Sequence, residues 1–288
     1  MSFVKLLSPA KVNLFLRILE KRPDGYHELQ SILQPVSLFD EISLLVEPGD
    51  GVSFSPSGRD MPSGKDNLAV AACRLYLETG SVQKKVSIDI KKNIPLGAGL
   101  GGGSSNAAAV LVGLNRILRK FTDRDLLSMA ASLGADVPFF IRSISSFVEG
   151  IGEKITLLAD FPLFHYVVLF PGNPLSTQKI YGKWKCPDPP PEKILPASLV
   201  ELFCRGEFPL ENGLEDAVFE TLPDILSIRE MFLSLGAGSV LVSGSGSSVF
   251  SVFREFSEAK RIYEYLITSS EFEVFLTHGI KGWHFLLD

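Results

Sequence analysis

Between Pro95 and Ala109 the chain reads Pro-Leu-Gly-Ala-Gly-Leu-Gly-Gly-Gly-Ser-Ser-Asn-Ala-Ala-Ala. An alternating segment, Val86-Ser87-Ile88-Asp89-Ile90, precedes it, and Ala107, Val110, Leu111, Leu114, Ile117 and Leu118 follow at helical spacing. The stretch is therefore a strand-to-helix turn, and five glycines sit in it: Gly97, Gly99, Gly101, Gly102 and Gly103. Glycine accepts positive φ and lets another group come close to the main chain. Ser104, Ser105 and Asn106 stand where a helix leaves N–H donors unpaired and its dipole is positive, so the turn is expected to bind an anion such as a phosphate. Glycines alone would also suit a turn that only packs tightly. Two hydroxyls and an amide at the helix start are superfluous for packing and favour the phosphate cradle.

The cradle is of neither common type. No Gly-Lys-Ser/Thr follows the glycines, which excludes a Walker loop, and Gly97-x-Gly99-x-x-Gly102 matches the dinucleotide fingerprint only formally. That fingerprint wants an acidic residue about 20 positions on. Asp123 and Asp125 fall there, but Thr122 with Asp125 reads as a helix capping box.

A chain of 288 residues suits one large or two smaller domains. Its net charge of -5, with basic residues scattered rather than clustered, opposes general nucleic-acid affinity. Cys73, Cys186 and Cys204 show no metal-type spacing and suit a reduced compartment, with Cys73 on an apolar helix face; no protein metal site is expected. The opening residues carry no signal-peptide pattern, and no run of about 18 apolar residues would span a membrane. A cytoplasmic protein without a membrane or nucleic-acid partner is the expectation.

Upstream, Ser8 to Ile18 alternates after Pro9 as a strand does, with Lys11 and Asn13 on one face. That face is expected either to border a cleft or to be solvated. Arg22-Pro23-Asp24-Gly25-Tyr26-His27-Glu28 contains a Pro-Asp-Gly turn that delivers Tyr26 and His27 at its exit. A tyrosine face and histidine ring nitrogens suit a planar base and equally suit ordinary packing. Strands are predicted over 32–38 and 41–46 with a turn at Phe39-Asp40. A polar loop from Glu47 to Lys65 follows, then a helix capped by Asp66 with Leu68, Ala71, Ala72 and Leu75 as its apolar face.

Downstream, a helix from the Thr122 cap to Gly134 empties into Gly134-Ala135-Asp136-Val137-Pro138-Phe139-Phe140. One carboxylate among apolar residues is costly unless paired with a cation or used. Lys11 is its candidate partner, and simple helix capping is the alternative. Phe147 to Ile155 reads as strand, turn and strand, and a fresh buried strand at 166–170 places a domain boundary near residue 160, giving domains 1–160 and 161–288. A helix over 223–235, a strand over 239–242, a small-residue loop Ser243-Gly244-Ser245-Gly246-Ser247-Ser248, a strand over 249–253, a helix over 257–267 and a strand near Val274 complete an α+β alternation. The small-residue loop is either a plain hairpin or a backbone wall beside a ligand.

Three separated stretches, Pro9-Ala10-Lys11-Val12-Asn13-Leu14, Pro95 to Ala109, and Gly244-Ser245-Gly246-Ser247-Ser248-Val249-Phe250, resemble in order and spacing the motifs of the GHMP kinase superfamily. Arg22 to Glu28 and Gly134 to Phe140 are most similar to its branch acting on a CDP-linked methylerythritol in non-mevalonate isoprenoid biosynthesis. The resemblance runs from about Pro9 to Phe253. It implies an α+β, two-domain GHMP kinase fold, with an N-terminal ATP-binding domain like domain 2 of ribosomal protein S5 and a ferredoxin-like C-terminal domain. The active site would lie between them.

The implied activity is ATP-dependent phosphorylation of the 2-hydroxyl of that alcohol, with Mg²⁺ bridging phosphate oxygens. Asp136 would be the general base, and Lys11 would keep it ionised and stabilise the developing alkoxide. Pro95, Gly97, Gly99, Leu100, Gly101, Gly102, Gly103, Ser104 and Ser105 would bind ATP, the N–H groups between Gly99 and Ser105 facing its phosphates and the Ser104 or Ser105 hydroxyl standing near the Mg²⁺. Tyr26 and Tyr181 match an aromatic pair that sandwiches cytosine, and His27 matches the residue that reads the base edge. Asn13 and Thr177 match positions that hold the sugar alcohol and its phosphate end. A monomer or weak homodimer is expected.

Two departures from the family pattern stand out. Ser143 and Ser146 occupy positions where Gly and Ala are usual, bordering the nucleotide region, and Gly213 replaces an Asp away from the chemistry. Two other readings compete. A GHMP kinase for homoserine or a sugar would have no use for the Tyr26, His27 and Tyr181 set, and a silent sensor of ATP and a metabolite would gain little from pairing Lys11 with Asp136.

Overall fold

The computed structural model describes residues 1–62 and 64–286. Ser63, within the loop predicted from Glu47 to Lys65, lies outside the described residues, as do Leu287 and Asp288 of the predicted second domain. The first half comprises β1 (Ser2–Lys21), β2 (His27–Pro48), β3 (Gly51–Gly58), a 3₁₀ turn (Gly64–Asp66), α1 (Leu68–Thr79), β4 (Lys84–Lys92), α2 (Gly102–Leu118), α3 (Asp123–Leu133), α4 (Val137–Arg142), β5 (Ser146–Gly150) and β6 (Lys154–Leu157). The second comprises β7 (His165–Phe170), α5 (Thr177–Lys183), α6 (Pro196–Arg205), β8 (Glu211–Asn212), α7 (Glu215–Thr221), α8 (Asp224–Ser234), β9 (Val240–Val242), β10 (Val249–Phe253), α9 (Phe256–Ser269), β11 (Glu273–His278) and β12 (His284–Leu286).

Two sheets organise these elements. The larger runs β12-β1-β2-β4-β3, with β5 and β6 continuing from β2 and β8 beside β1; the smaller is antiparallel β11-β7-β10-β9. The fold is thus α+β with mixed sheets, and β8 and β12 return from the second half to the first sheet. Leu44, Ile88, Val110 and Tyr76 fill the main core under α1 and α2, while Phe161, Phe164, Tyr166 and Phe203 lie in a second cluster behind β7. Cys73 is buried in the first of these, as its helix face implied. Among the described residues no helix is long and apolar enough to cross a membrane.

β1 and β2 pair antiparallel along most of their length, and two of the three departures from register flank Lys11 and Asn13. Register shifts occur between Pro9 and Ala10 and between Asn13 and Phe15, on either side of Lys11 and Asn13. Proline has no N–H to give a ladder, and such irregularities re-aim neighbouring side chains. The Lys11 N–H donates to the Leu100 carbonyl at 3.0 Å, which ties this bulged strand to the glycine-rich turn.

Three local expectations are corrected. No turn forms at Phe39-Asp40, because β2 continues through both residues. Asp40 is fully buried, and its carboxylate accepts the Lys92 ammonium together with the N–H groups of Asn93 at 2.7 Å and Ile94 at 2.8 Å. The polar segment before α1 is not all loop either. It holds β3, parallel to β4, in which alternate Val52 and Phe54 lie against the core between serines that hide the pattern. Asn67 rather than Asp66 caps α1, its side chain accepting from the Ala69 N–H at 2.9 Å. The helix buries Ala69, Val70, Ala72, Cys73, Tyr76 and Leu77, with Leu68 and Leu75 at the margin, because it is packed both on the sheet and on α2.

Candidate active site

Lys11 and Asp136 meet at the N-terminal end of α4. Lys11 Nζ stands 3.9 Å from Asp136 Oδ2 and donates to Asn13 Oδ1 at 2.5 Å and to the Gly99 carbonyl at 2.9 Å. Two of its ammonium protons therefore have directed acceptors, and Asp136 stands at ion-pair distance. Burial pushes the Lys11 ammonium below the ordinary lysine range, and the Asp136 charge opposes that shift. Asp136 occupies the N-cap position of α4, yet its side chain makes no capping hydrogen bond. With 43% of that side chain exposed while Lys11 is buried, the carboxylate faces a space open to a ligand.

The glycine-rich turn splits into two parts with different work. Gly97 and Gly99 serve contact between loops. Gly99 has φ +74, and a Cβ there would lie 1.9 Å from the Ser243 carbonyl oxygen, so only glycine lets the two loops meet. Leu175 N and Ser247 N donate to the Gly97 carbonyl at 2.9 and 3.3 Å, and Ser248 N donates to that of Ala98 at 3.1 Å. The Ser243–Ser248 segment is thus a hairpin loop between β9 and β10 that packs against the glycine-rich turn. Its Gly244, at φ +56, covers the Lys11 and Asn13 side chains, where a Cβ would come within 2.9 Å of Asn13 Oδ1.

The second part is the cradle. α2 begins at Gly102 with Gly101 as its N-cap, and the first intrahelical bond of the turn is Ser105 N to the Gly101 carbonyl at 2.9 Å. The N–H groups from Gly99 to Ser104 have no backbone acceptor among the described residues, the condition for an anion site at a helix N-terminus. Gly103 is exposed and Ser104 half-buried. Ser105 is instead fully buried with its Oγ 2.7 Å from that of Ser8, which also donates to Asn106 Oδ1 at 2.9 Å. Of the two predicted hydroxyls, that of Ser105 is taken up inside the protein, and Ser104 is the partly exposed one. Pro95 and Leu100 form the buried shoulders of the turn.

The predicted aromatic residues lie around His27 and on the turn before it. The turn at Arg22–Tyr26 forms as predicted, with Gly25 at φ +88 and the Tyr26 N–H on Asp24 Oδ1 at 3.1 Å. Tyr26 is 57% exposed. His27 is buried, its ring 5.2 Å from that of Tyr181, and its Nε2 has no hydrogen-bond partner. A buried, unpaired ring nitrogen is an unmet polar group that a ligand would satisfy. Burial first, and the charge of Lys21 second, hold His27 below the ordinary histidine range. Burial first, and the Asp136 charge second, raise the Tyr181 phenol above the ordinary tyrosine range. Thr177 Oγ1 lies 3.0 Å from Ser245 Oγ, joining α5 to the second loop. Asn13 donates its Nδ2 to Ser31 at 3.1 Å, so its amide is fixed with the oxygen on Lys11.

Family models for the GHMP kinases N terminal domain and the GHMP kinases C terminal match residues 67–143 and 196–270. A 4-diphosphocytidyl-2-C-methyl-D-erythritol kinase of Citrifermentans bemidjiense is 40% identical over 261 residues, 90% of this chain and 93% of that protein. The chain belongs to the 4-diphosphocytidyl-2-C-methyl-D-erythritol kinase family of GHMP kinases. A crystal structure of 4-(cytidine 5'-diphospho)-2C-methyl-D-erythritol kinase agrees over 96% of this chain and 99% of its own, with a TM-score of 0.82 and 38% identity. A homoserine kinase from Cytophaga hutchinsonii superposes over 99% of this chain and 98% of its own with a TM-score of 0.75 but 18% identity, a likeness of fold alone.

Against that family pattern both departures find a place. Ser143 ends α4 at φ +52, a conformation that suits the usual glycine, and its hydroxyl is buried without a partner. It lies at the end of α4 away from Asp136. The Gly213 segment is closer to the chemistry than expected: the neighbouring Asn212 donates to the carbonyls of Val242 and Gly244, both at 2.8 Å, and Gly244 covers Lys11. Sequence reasoning also missed Trp184, whose ring meets His27 edge-on at 5.3 Å. It stands three residues after Tyr181, as the C-cap of α5. Ser8 and Ser245 carried no distinguishing mark.

Proposed function

We propose that this chain transfers the γ-phosphoryl group of ATP to the 2-hydroxyl of 4-diphosphocytidyl-2-C-methyl-D-erythritol, giving the 2-phosphate and ADP. The observation that best supports this reading is the uncapped, half-exposed carboxylate of Asp136 beside the Lys11 ammonium, which also binds the Gly99 carbonyl of the glycine-rich turn. Asp136 takes the proton of the acceptor hydroxyl as its oxygen bonds to phosphorus and the bond to the ADP oxygen breaks. Lys11 favours the ionised carboxylate and offsets the charge on the attacking oxygen. The N–H groups of Gly102, Gly103 and Ser104 orient the phosphates at the positive end of α2.

Mg²⁺ fits this site as a nucleotide-borne ion. Among the described residues no three His, Cys, Asp or Glu side chains converge, and Mg²⁺ commonly keeps waters and substrate phosphates as its partners. The Ser104 hydroxyl would hold it, and when bound it would neutralise phosphate charge. Cytosine lies between Tyr26 and Tyr181, with His27 on its polar edge, while Asn13 and Thr177 border the alcohol and its phosphate end. Residues 1–160 form the nucleotide-binding unit and 161–288 the unit that closes the site; the reading includes a cytoplasmic monomer or weak homodimer with no nucleic-acid partner.

The test of the substrate is Tyr26→Ala. An exposed ring without a protein partner adds nothing to the core, so the variant folds normally and binds the cytidyl substrate about 1 to 3 kcal/mol more weakly, as base–aromatic stacks do. Titration calorimetry measures it. Unchanged affinity would remove Tyr26 from the pocket.

A further inference from the structure

The helix that presents Asp136 is six residues long, Val137–Arg142. Helices this short have no stability of their own, and their last carbonyls lack intrahelical donors. Here two of those carbonyls are met from far along the chain. Trp283 Nε1 donates to the Ile141 carbonyl at 3.0 Å, and Gly282 N donates to that of Ser143 at 2.7 Å. Ser143 itself has φ +52, a conformation that a non-glycine residue keeps only with support from its surroundings.

The segment carrying these donors continues into β12, which pairs antiparallel with Lys5–Leu7 of β1. The Arg116 guanidinium, in the last turn of α2, lies 4.1 Å from the centre of the Phe285 ring. One short segment therefore touches β1, α2 and α4. These are the elements that carry Lys11, the phosphate cradle and Asp136.

We propose that Trp283 is a positioning residue for phosphoryl transfer: its indole N–H, with the Gly282 N–H, clamps the C-terminal end of α4 and thereby fixes Asp136 against Lys11 and the acceptor hydroxyl. The inference rests on the reading of Asp136 as the base. Between Asp136 and Ile141 the helix rises only about 8 Å, so a tilt at the clamped end is carried directly to the carboxylate. Misplacing a reacting group by about 1 Å costs on the order of 10²-fold in rate. The Trp283 hydrogen bond goes to α4, not to the cradle or the aromatic pocket, so substrate binding is spared.

The test is Trp283→Phe, which keeps an aromatic ring in the packing and removes the N–H. A partial loosening of this kind lowers kcat by about tenfold while KM for ATP and for the cytidyl alcohol stays within about twofold. Placed on top of Asp136→Asn, the same substitution changes residual turnover by less than about twofold, because no carboxylate remains to be positioned. A kcat within about twofold of the parent, or the same loss in both backgrounds, would overturn the inference and leave the base assignment standing. Near-normal turnover by Asp136→Asn alone would instead remove the base, and this inference with it.

Discussion

Asp136→Asn lowers turnover by about 10²- to 10⁴-fold, the usual worth of a general base, and leaves the affinities for ATP and the cytidyl substrate close to those of the parent. The separation follows from local structure. Asp136 makes no capping hydrogen bond and is half-exposed, and its one charged partner is Lys11. Asn is as acceptable as Asp at an N-cap position. Lys11 loses an ion-pair partner but keeps Asn13 Oδ1 and the Gly99 carbonyl, so it stays in place. Single-turnover kinetics beside equilibrium titrations measure the two effects separately. Weakened binding with intact turnover would assign Asp136 to substrate contact rather than proton transfer.

Lys92→Met acts on folding. It lowers the free energy of unfolding by about 3 to 5 kcal/mol, the cost of breaking a buried ion pair from one side. Lys92 and Asp40 are almost completely buried, and removing the ammonium leaves the Asp40 carboxylate with only the N–H groups of Asn93 and Ile94. Burial pulls the Lys92 ammonium below its ordinary range and the Asp40 charge opposes that shift. The effect reaches the site, because a Cβ on Gly102 would lie 2.7 Å from Lys92 Nζ: the pair sits directly under the start of α2. Urea titration of Lys92→Met and of a Lys92→Met, Asp40→Leu double variant checks this. The double variant recovers part of the loss, since no unpaired charge remains. A single variant as stable as the parent would mean that the pair contributes nothing.

The parts of this molecule that could be read from its sequence are those in which one short segment carries the whole signal. Thr122 and Asp125 form the predicted capping box, the Pro-Asp-Gly turn exposes Tyr26, and the glycine-rich turn opens α2. Parts that depend on distant partners were misread or missed. Asp40 looks like a turn residue until Lys92 is brought beneath it, and the serines of β3 hide its two core contacts. β12 is three residues long and is a strand only because β1 offers it an edge. The spacing of the turn's glycines suggests ligand contacts, but it does not reveal that Gly97 and Gly99 also pack against Pro174, Leu175 and the second loop. Lys11 and Asp136 were paired from chemistry alone, since an isolated carboxylate among apolar residues requires a cation, and the fold brings them to 3.9 Å.

The measurement closest to the central claim is ADP release with ATP and Mg²⁺, comparing 4-diphosphocytidyl-2-C-methyl-D-erythritol with homoserine, mevalonate and galactose as acceptors. On the proposed reading, an open base beside an anion cradle would serve any of these alcohols, and the buried, unpaired His27 nitrogen beside Tyr181 would select the cytidyl one. Turnover confined to the cytidyl acceptor is the predicted result. Equal or faster turnover with another alcohol, or none with any acceptor despite tight ATP binding, would contradict it.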